Sequence, residues 1–342
     1  MRVLDRDKQN IVLPGKIPPR LLQRILDLPR KKCPAVVVGP NLGEDAAVLN
    51  FEAGMVVATS DPITFPTPRP GYYAVHVNTN DIAVTGGKPR FFIMTLLLPP
   101  GSSEDRILGI MRDAVEAAEA MDITLIGGHS EVSEAVTMPV VSITMLGDLI
   151  TSRPIRTGDG HFGDAIIQVR PMAVEGTSIL ASEHQDRLEP LLGREMVERA
   201  KGFLYDPGLS VLAPAVLAAE RLPVHAMHDP TEGGLATGVK EIAQASNTGL
   251  SIDEAKIMVA PETVRICEAL GYDPLGLISS GCLLFTVSDD EADRAVETMM
   301  DAGFEASRIG DLTDSPGQYE ITWKDGRTTT LPDFAVDELA RE

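Results

Sequence analysis

Residues 36–49 read VVVGPNLGEDAAVL, which is an apolar run, a turn and a second apolar run. The turn GPNLG, residues 39–43, consists of residues that favour tight turns. Two adjacent carboxylates, Glu44 and Asp45, follow it directly. A simple strand–turn–strand needs no acidic pair at its inner edge. We therefore interpret the pair as part of a binding site, with the turn as a flexible cover.

Length and composition indicate a soluble protein of two domains. The chain has 342 residues, of which 44% are hydrophobic and 23% charged, and this length predicts two domains of roughly 150 residues each. The apolar run FFIMTLLL, residues 91–98, is as long as a strand and too short to span a membrane. The N-terminus shows no secretory signal, and three cysteines lack metal-binding spacing: Cys33, Cys267 and Cys282. We therefore expect a cytoplasmic protein without a disulfide framework.

The chain is strongly acidic. It has 30 Lys and Arg against 50 Asp and Glu, a formal net charge of −20. Such a surface repels phosphate backbones and anionic lipid, so we expect neither a nucleic-acid partner nor a membrane. An anionic ligand such as a nucleotide would need local compensation, which bound divalent cations usually provide.

The hydrophobic pattern predicts an α/β (α+β) fold. Residues 1–34 are interpreted as an N-terminal extension with one short helix, over 19–31. The first domain, 35–150, is predicted to contain helices over 71–86 and 102–122, the second capped by Ser102 or Ser103. Its predicted strands are 35–38, 46–49, 55–59, 91–98 and 138–146.

The second domain is predicted over 151–342. It begins with a turn-rich junction, residues 151–164. Its predicted elements are a strand at 165–170, helices at 194–203 and 208–221, and a strand–helix–strand unit over 282–311.

Carboxylates recur at the ends of apolar runs, next to glycine or a small polar residue. The chain contains no P-loop and no dinucleotide-binding glycine motif. One acid at a strand end is usually a cap or a turn former, but several in one chain favour a Mg²⁺–phosphate site, because Mg²⁺ prefers oxygen ligands. The residues in this context are Asp45, Asp61, Asp81, Glu131, Asp229 and Glu232.

Six motifs in order resemble one known family. GEDAAVL, TSDP, VNTNDIAVTGGKP, IGGHSEV, HDPTEGGL and LISSGCLLFTV are similar to the aminoimidazole ribonucleotide (AIR) synthetase-related, PurM-like superfamily. The resemblance runs from about residue 14 to residue 315, and RICEALGYDPLGLISSG, residues 265–281, is most similar to the HypE-like and archaeal-type branch.

The resemblance implies a two-domain AIR synthetase-like fold that binds ATP and Mg²⁺ in the cleft between the domains. The strands of the N-terminal domain would pair across a homodimer to form a β-barrel, and the C-terminal α/β domain would close over it. The implied metal ligands are Asp45, Asp61, Asp81 and Asp229. The implied nucleotide- or phosphate-contacting residues are Gly39, Asn41, Gly43, Asn80, Gly127, Gly128, Thr231, Glu232, Gly233, Ser280 and Gly281.

Two departures from the family pattern bear on catalysis. His129 stands where many members have an acid, so His129, Glu131 and Asp81 are the candidate catalytic residues, with His129 as a proton carrier. The alternative is that Glu131 supplies the missing charge and His129 only donates a hydrogen bond. HypE proteins end in a cysteine, whereas this chain ends LPDFAVDELARE. We therefore expect no nitrile-forming chemistry on its own tail, and we interpret Cys267 as a helical core residue.

Other polar residues have a structural and a functional interpretation. His225 and His228 have helical i,i+3 spacing and could bind a transition metal with Asp229, although histidines at a strand-to-turn junction are the simpler interpretation. His76 is predicted to be half-buried, with a contact to substrate as the alternative. The basic residues near the motifs are expected at the surface: Lys88, Arg90, Arg153 and Arg156.

These observations predict an ATP- and Mg²⁺-dependent phosphoryl-transfer enzyme that activates an amide or hydroxyl oxygen of a small-molecule or protein-bound acceptor. One alternative is a small-molecule kinase resembling thiamine-monophosphate kinase. A second alternative is a nucleotide-binding maturation partner that does not turn over.

Overall fold

The computed structural model describes residues 23, 34, 36–38, 41, 44–51, 54–65, 67, 69–334 and 336–341. The predicted helix over 19–31 lies outside the described residues apart from Gln23, and so do Cys33, Gly39 and Gly43.

The first sheet has six strands in the order β1-β2-β3-β6-β4-β5. All neighbours pair antiparallel except β4 and β5, which are parallel. The predicted strands are confirmed, but β5 was missed because its sequence TLIGGHSEV is too rich in glycine and polar residues. The strands are β1 Val36–Val38, β2 Ala47–Phe51, β3 Gly54–Ile63, β4 Gly87–Leu98, β5 Thr124–Val132 and β6 Val140–Leu149.

Two helices cover this sheet, and both predictions are confirmed. Helix α1, Pro70–Val84, has 13 of its 15 residues buried, although many of them are polar. Helix α2, Glu104–Glu119, is amphipathic, and the Oγ of its N-cap Ser103 accepts a hydrogen bond from the Arg106 N–H at 3.3 Å. A helix buried all round must pack on both sides, so α1 is a central element of the fold.

The second sheet has seven strands in the order β13-β12-β9-β11-β7-β10-β8. Only β9 and β12 pair parallel among its described strands. Its central strands β7 and β10 are buried along almost their whole length. The strands are β7 Asp164–Val169, β8 Met227–His228, β9 Gly249–Asp253, β10 Leu283–Ser288, β11 Ala306–Thr313, β12 Tyr319–Thr322 and β13 Thr328–Thr330.

Seven helices pack around the second sheet in the part of the chain that the structure describes. They are α3 Val174–Glu183, α4 Gln185–Leu192, α5 Arg194–Gly202, α6 Leu212–Arg221, α7 Gly234–Ala245, α8 Pro261–Leu270 and α9 Ala292–Asp301. The predicted helices at 194–203 and 208–221 correspond to α5 and α6, and Cys267 is a buried residue of α8, as predicted. The stretch Arg194–Arg221 is apolar and long enough for a membrane span, but the backbone of Asp206 is not helical, so the stretch is two helices.

The end of α1 joins the two halves of the molecule. Ala83 and Val84 belong to the same apolar cluster as Ile167 of β7 and Phe285 of β10. Residues earlier in α1, such as Ile82, pack instead in the core of the first sheet. The two sheets are therefore joined through one helix, and polar residues of that helix lie where the two halves meet.

The close crossing of α1 and α2 gives a prediction about stability. A Cβ on Gly71 would lie 2.2 Å from the Ile110 carbonyl oxygen, whereas a Cβ on Gly109 of α2 would meet nothing within 4 Å. We expect Gly71→Ala to cost about 1–3 kcal/mol. Gly109→Ala should instead gain about 0.5–1 kcal/mol, because alanine favours a helix. Thermal unfolding of both variants tests this packing, and a shift of the two midpoints in the same direction would contradict it.

Candidate functional site

Helix α1 and strand β3 are fixed against each other by side chains of α1. The Asn78 Oδ1 accepts from the Asp61 backbone N–H at 2.9 Å, and its Nδ2 donates to the Asp61 carbonyl at 3.1 Å. The Thr59 hydroxyl of β3 donates to the Asp81 Oδ2 at 2.7 Å. These bonds place the carboxylates of Asp61 and Asp81 in one region at the face of the first sheet.

The four predicted metal ligands come together around Asp81. Burial raises the pKa of the Asp81 carboxyl well above its ordinary value, and the carboxylates of Asp229, Asp61 and Asp45 raise it further, in that order. Asp229 follows β8 directly and is buried, whereas Asp61 is exposed. Residues up to 184 positions apart in the chain therefore form one carboxylate cluster: Asp45, Asp61, Asp81 and Asp229.

A buried histidine joins this cluster to the second sheet. The His228 Nδ1 lies 2.8 Å from the Asp45 Oδ2, and its Nε2 lies 2.8 Å from the Glu241 Oε2 of α7. Burial lowers the pKa of His228, but the two carboxylates more than offset this and hold the pKa well above 6.5. The ring is therefore an imidazolium that donates from both nitrogens.

The segment between β6 and β7 also contacts the acidic pair Glu44 and Asp45. The Thr157 hydroxyl donates to the Asp45 Oδ2 at 3.1 Å, and the guanidinium of Arg156 forms an ion pair with Glu44, with Nε 2.8 Å from Oε1. The interpretation of Glu44 as part of the metal cradle is therefore corrected. Its carboxylate is held by Arg156, and only Asp45 of the pair contacts the cluster.

The donor set of the cluster fits a hard divalent cation. Four carboxylates converge beside His228, and the repulsion among them helps to raise the pKa of Asp81. Mg²⁺ prefers oxygen ligands from a few carboxylates and leaves positions for water and phosphate oxygens. The carboxylate oxygens of Asp45 and Asp229 lie within 4.8 Å of each other.

Asn80 has a different role from the predicted phosphate contact. Its side chain is fully buried. The Nδ2 donates to the Leu209 carbonyl at 2.9 Å, and the Oδ1 accepts from the Val211 N–H at 2.8 Å. Both amide atoms are therefore occupied by the segment that leads into α6, and Asn80 holds α1 against the second half of the chain.

The backbone N–H of Gly233, a predicted phosphate contact, is hydrogen-bonded to another part of the chain. The Gly233 N–H, directly before α7, donates to the Asp337 Oδ2 at 2.8 Å. Burial raises the pKa of Asp337 to about 6, although hydrogen bonds from backbone N–H groups oppose the rise. Thr231 and Glu232, in contrast, lie at the surface of this turn, partly and fully exposed respectively.

Ser280 and Gly281 lie in closely packed surroundings. Ser280 is 1% exposed and forms a hydrogen bond with the Glu175 carboxyl, whose pKa burial raises to about 8. A Cβ on Gly281 would lie 2.6 Å from the Gly208 carbonyl oxygen. A close backbone contact therefore requires glycine at this position, and the nucleotide contacts predicted for the two residues stay predictions.

The candidate catalytic pair lies on the edge strand β5. The His129 Nε2 is 3.0 Å from the Glu131 Oε2, and the two side chains are 65% and 50% exposed. Gly127 has open space around it, whereas a Cβ on Gly128 would lie 2.0 Å from the Met94 carbonyl of β4. The hydrogen bond of the pair joins two residues of the same strand. Asn41, the remaining predicted nucleotide contact, is exposed.

The simpler interpretation of His228, a histidine where a strand meets a turn, is confirmed, because Met227–His228 is a strand paired with β10. The prediction for His76 is corrected. His76 is buried rather than half-buried, its Nδ1 has no hydrogen-bond partner in the structure, and burial lowers its pKa to about 4. Of the basic residues, Lys88 and Arg90 are exposed, as predicted.

Sequence reasoning missed several residues that shape the site. Thr157 belongs to no motif, and Thr59 lies in the TSDP motif without having been singled out. His228 was named only as a possible transition-metal ligand, and its bonded partner on α7 is separated from it by 13 positions. Arg156 was expected at the surface and instead forms an ion pair with Glu44. The residues that the sequence did not single out are Thr59, Thr157, Glu241 and Asp337.

Two family models match the chain. The AIR synthase related protein N-terminal domain matches residues 43–149, and the corresponding C-terminal domain matches residues 162–322. The chain belongs to the AIR synthase related protein family. The family and the two-domain mixed α/β fold predicted from the motifs are thereby confirmed.

The chain is similar to several known proteins over most of its length. A putative hydrogenase expression/formation protein of Methanocaldococcus jannaschii is 30% identical over 283 residues, 79% of each chain. The carbamoyl dehydratase HypE of Cupriavidus necator is 30% identical over 315 residues, 87% of this chain and 85% of that one. The crystal structure of a hydrogenase maturation protein HypE in complex with ATP has a TM-score of 0.67 at 24% identity, over 86% of this chain and 90% of that one. The structural likeness shows that the fold is shared.

The raised pKa of Asp81 predicts how stability depends on pH. The folded chain holds the Asp81 proton more tightly than the unfolded chain, so without metal the free energy of unfolding falls as pH rises above about 4. Asp81→Asn removes the ionisable group and with it the fall of the free energy of unfolding. The amide Oδ1 of this variant can still accept a hydrogen bond from the Thr59 hydroxyl. We expect the metal-free variant to melt at a higher temperature than wild type at pH 8, with the difference shrinking towards pH 4.

Thermal unfolding across this pH range checks the prediction. The exposed carboxylate Asp301 gives a control, since Asp301→Asn should leave the pH dependence unchanged. A lower melting temperature of Asp81→Asn at pH 8 would show that the carboxylates around it do not repel one another.

Proposed function

We propose that the chain is an ATP- and Mg²⁺-dependent enzyme that transfers or cleaves a phosphoryl group. The convergence of three carboxylates on that of the buried Asp81 carries the proposal. The ATP complex of a HypE protein with the same fold supports the choice of nucleotide. Bound Mg²⁺ would supply charge neutralisation on the phosphate oxygens and hold the triphosphate for in-line attack.

The residues of the cluster have distinct tasks in this proposal. Asp61, Asp81 and Asp229 offer carboxylate oxygens to the metal. Asp45 uses its Oδ2 to accept from His228 and Thr157, which leaves its Oδ1 for the same purpose.

His228 is a positioning residue in this proposal. Both of its nitrogens face carboxylates, so the ring has no free lone pair and cannot act as a base. It fixes the orientation of Asp45 and offsets one negative charge of the cluster.

The favoured acceptor is an amide carbonyl oxygen. The relative that is 30% identical over 85% of its length is a carbamoyl dehydratase, which acts on a carbamoyl group. Phosphorylation of such an oxygen makes it a leaving group, so phosphate is lost in a second step. The alternative acceptor is a hydroxyl, as in a small-molecule kinase, where the phosphoryl group stays on the product.

A homodimer forms part of the proposal. Strand β5 is a nine-residue sheet edge that pairs only with β4 in the described chain, and seven of its residues in a row, from residue 126, are exposed. A long exposed edge of this kind favours pairing with a second chain. In such a dimer, His129 and Glu131 would lie at the interface, where they could move a proton at the acceptor.

Substitution of Asp61 gives the cleanest test of the metal site. Its carboxylate is exposed, and its fixed hydrogen bonds to Asn78 involve only backbone atoms. We expect Asp61→Asn to weaken binding of a non-hydrolysable ATP analogue in Mg²⁺ by roughly tenfold or more, which is about 1.4 kcal/mol. The melting temperature without metal should change little. Calorimetric titration with and without Mg²⁺ measures the affinity for the analogue, and thermal unfolding measures the melting temperature.

Asp148→Asn is the matched control, because Asp148 is an exposed carboxylate of the same sheet in an exposed ion pair with Arg90. It should bind the nucleotide like wild type. Equal affinity with and without Mg²⁺ in wild type, or no nucleotide binding at all, would overturn the proposed function. Assay of released ADP and phosphate separates the acceptors, since an amide acceptor yields both and a kinase yields ADP with phosphorylated product.

A further inference from the structure

A second cluster of metal-ligating side chains lies apart from the carboxylates of the proposed nucleotide site. It contains His161, Asp164 and His225, which offer one ligand atom each within 4.8 Å of the others. None of these residues belongs to the motifs that carry the family resemblance. The cluster therefore needs its own explanation.

The backbone holds all three residues in place. Asp164 opens β7 and pairs with Ser288 of β10, and the His225 N–H donates to the Thr286 carbonyl of the same strand at 2.9 Å. His161 lies in a turn whose Gly163 N–H donates to the Leu312 carbonyl at 3.0 Å. Asp164 is thus part of the sheet, and the two histidines lie on segments that are hydrogen-bonded to it.

The contacts of Asp164 resemble the surroundings of a metal ligand. Its carboxylate is 2% exposed, and the His225 Nδ1 lies 2.9 Å from both of its oxygens. The Oδ2 also accepts from the His161 backbone N–H at 2.8 Å. The buried carboxylate thus brings the His225 ring and the His161 turn together.

A simple ion pair does not account for the second imidazole. The rings of His161 and His225 have centroids 4.4 Å apart at an angle of 59°. Two imidazoles beside one buried carboxylate therefore form a set of possible metal ligands. His161 is exposed and His225 is 21% exposed, so the set is open to solvent on one side.

We propose that His161, Asp164 and His225 form a binding site for one transition-metal ion of the zinc class, separate from the carboxylate cluster. Two imidazole nitrogens and one carboxylate oxygen are the ligands of many zinc sites, in which water or substrate fills a fourth position. Zn–N bonds of about 2.0–2.1 Å require ligand atoms about 3.3 Å apart in a tetrahedron, which a rotation of the exposed His161 ring can supply. Mg²⁺ would be a poor occupant, because it prefers oxygen ligands.

The site would fasten the two segments that reach Asp45. His161 follows Thr157 by four positions, and His225 precedes His228 by three. Thr157 and His228 both bond to the Asp45 Oδ2. A metal ion that links His161 to His225 would therefore hold Thr157 and His228 in place against Asp45.

Metal titration of the full-length, chelator-treated protein tests the proposal. Co²⁺ binding is followed by the visible d–d absorption of the ion, and Zn²⁺ binding by calorimetry. With excess Mg²⁺ present to occupy the carboxylate cluster, we expect one equivalent of either ion per chain. His161→Ala should weaken binding by more than the roughly 10- to 100-fold that loss of an outer-shell partner costs. This variant keeps the backbone N–H that donates to Asp164, so the turn retains its bond.

Two controls separate this site from the carboxylate cluster and from surface histidines. His184→Ala should bind Co²⁺ like wild type, because His184 belongs to neither cluster. Asp61→Asn should also bind Co²⁺ like wild type, even though it is expected to lose Mg²⁺-dependent nucleotide binding. The proposal is overturned if wild type binds no stoichiometric Co²⁺ or Zn²⁺, or if binding survives in both His161→Ala and His225→Asn.

Discussion

The repulsion between the buried Asp81 carboxylate and the carboxylates around it is the constraint on which this structure depends. Asp81 is enclosed in α1 and faces Asp229, Asp61 and Asp45, so its ionised form is strongly disfavoured. Proteins seldom enclose unpaired charge, because desolvation costs several kcal/mol per ion. The arrangement is therefore stable in its charged form only with a partner cation, and His228 supplies a single charge.

The fold is built to hold this cluster in place. Helix α1 is buried on all sides and uses its polar residues as connectors, with Asn78 bonded to β3 and Asn80 bonded to the segment before α6. His228 and Thr157 add bonds from the second half of the chain to Asp45. The two halves thus meet through hydrogen bonds to the cluster as well as through the apolar contacts at the end of α1.

The sequence predicted the acids better than it predicted their surroundings. Acids at the ends of apolar runs formed a pattern, and the order of six motifs indicated the family. The sequence alone therefore grouped four acids: Asp45, Asp61, Asp81 and Asp229. Their positions around Asp81 agree with that grouping, and nucleotide binding itself stays a proposal. Strand β5 was missed because its two glycines and polar residues break the apolar pattern.

The corrected residues share one physical reason. Asn80 and Gly233 lie in motifs, but their polar atoms are bonded to distant parts of the same chain, at Leu209 and Asp337 respectively. Such contacts depend on tertiary packing and leave no local periodicity. The same holds for His225 and His161, which are 64 positions apart and meet only because β7, β8 and β10 are neighbours.

The most direct measurement is a crystal structure with Mn²⁺ and a non-hydrolysable ATP analogue, with anomalous scattering used to locate the ion. Mn²⁺ accepts the same oxygen ligands as Mg²⁺. The account predicts an anomalous peak bonded to the Asp81 carboxylate and at least one of its neighbours, with phosphate oxygens completing the shell. Nucleotide bound elsewhere, or an ion that does not touch Asp81, would contradict it.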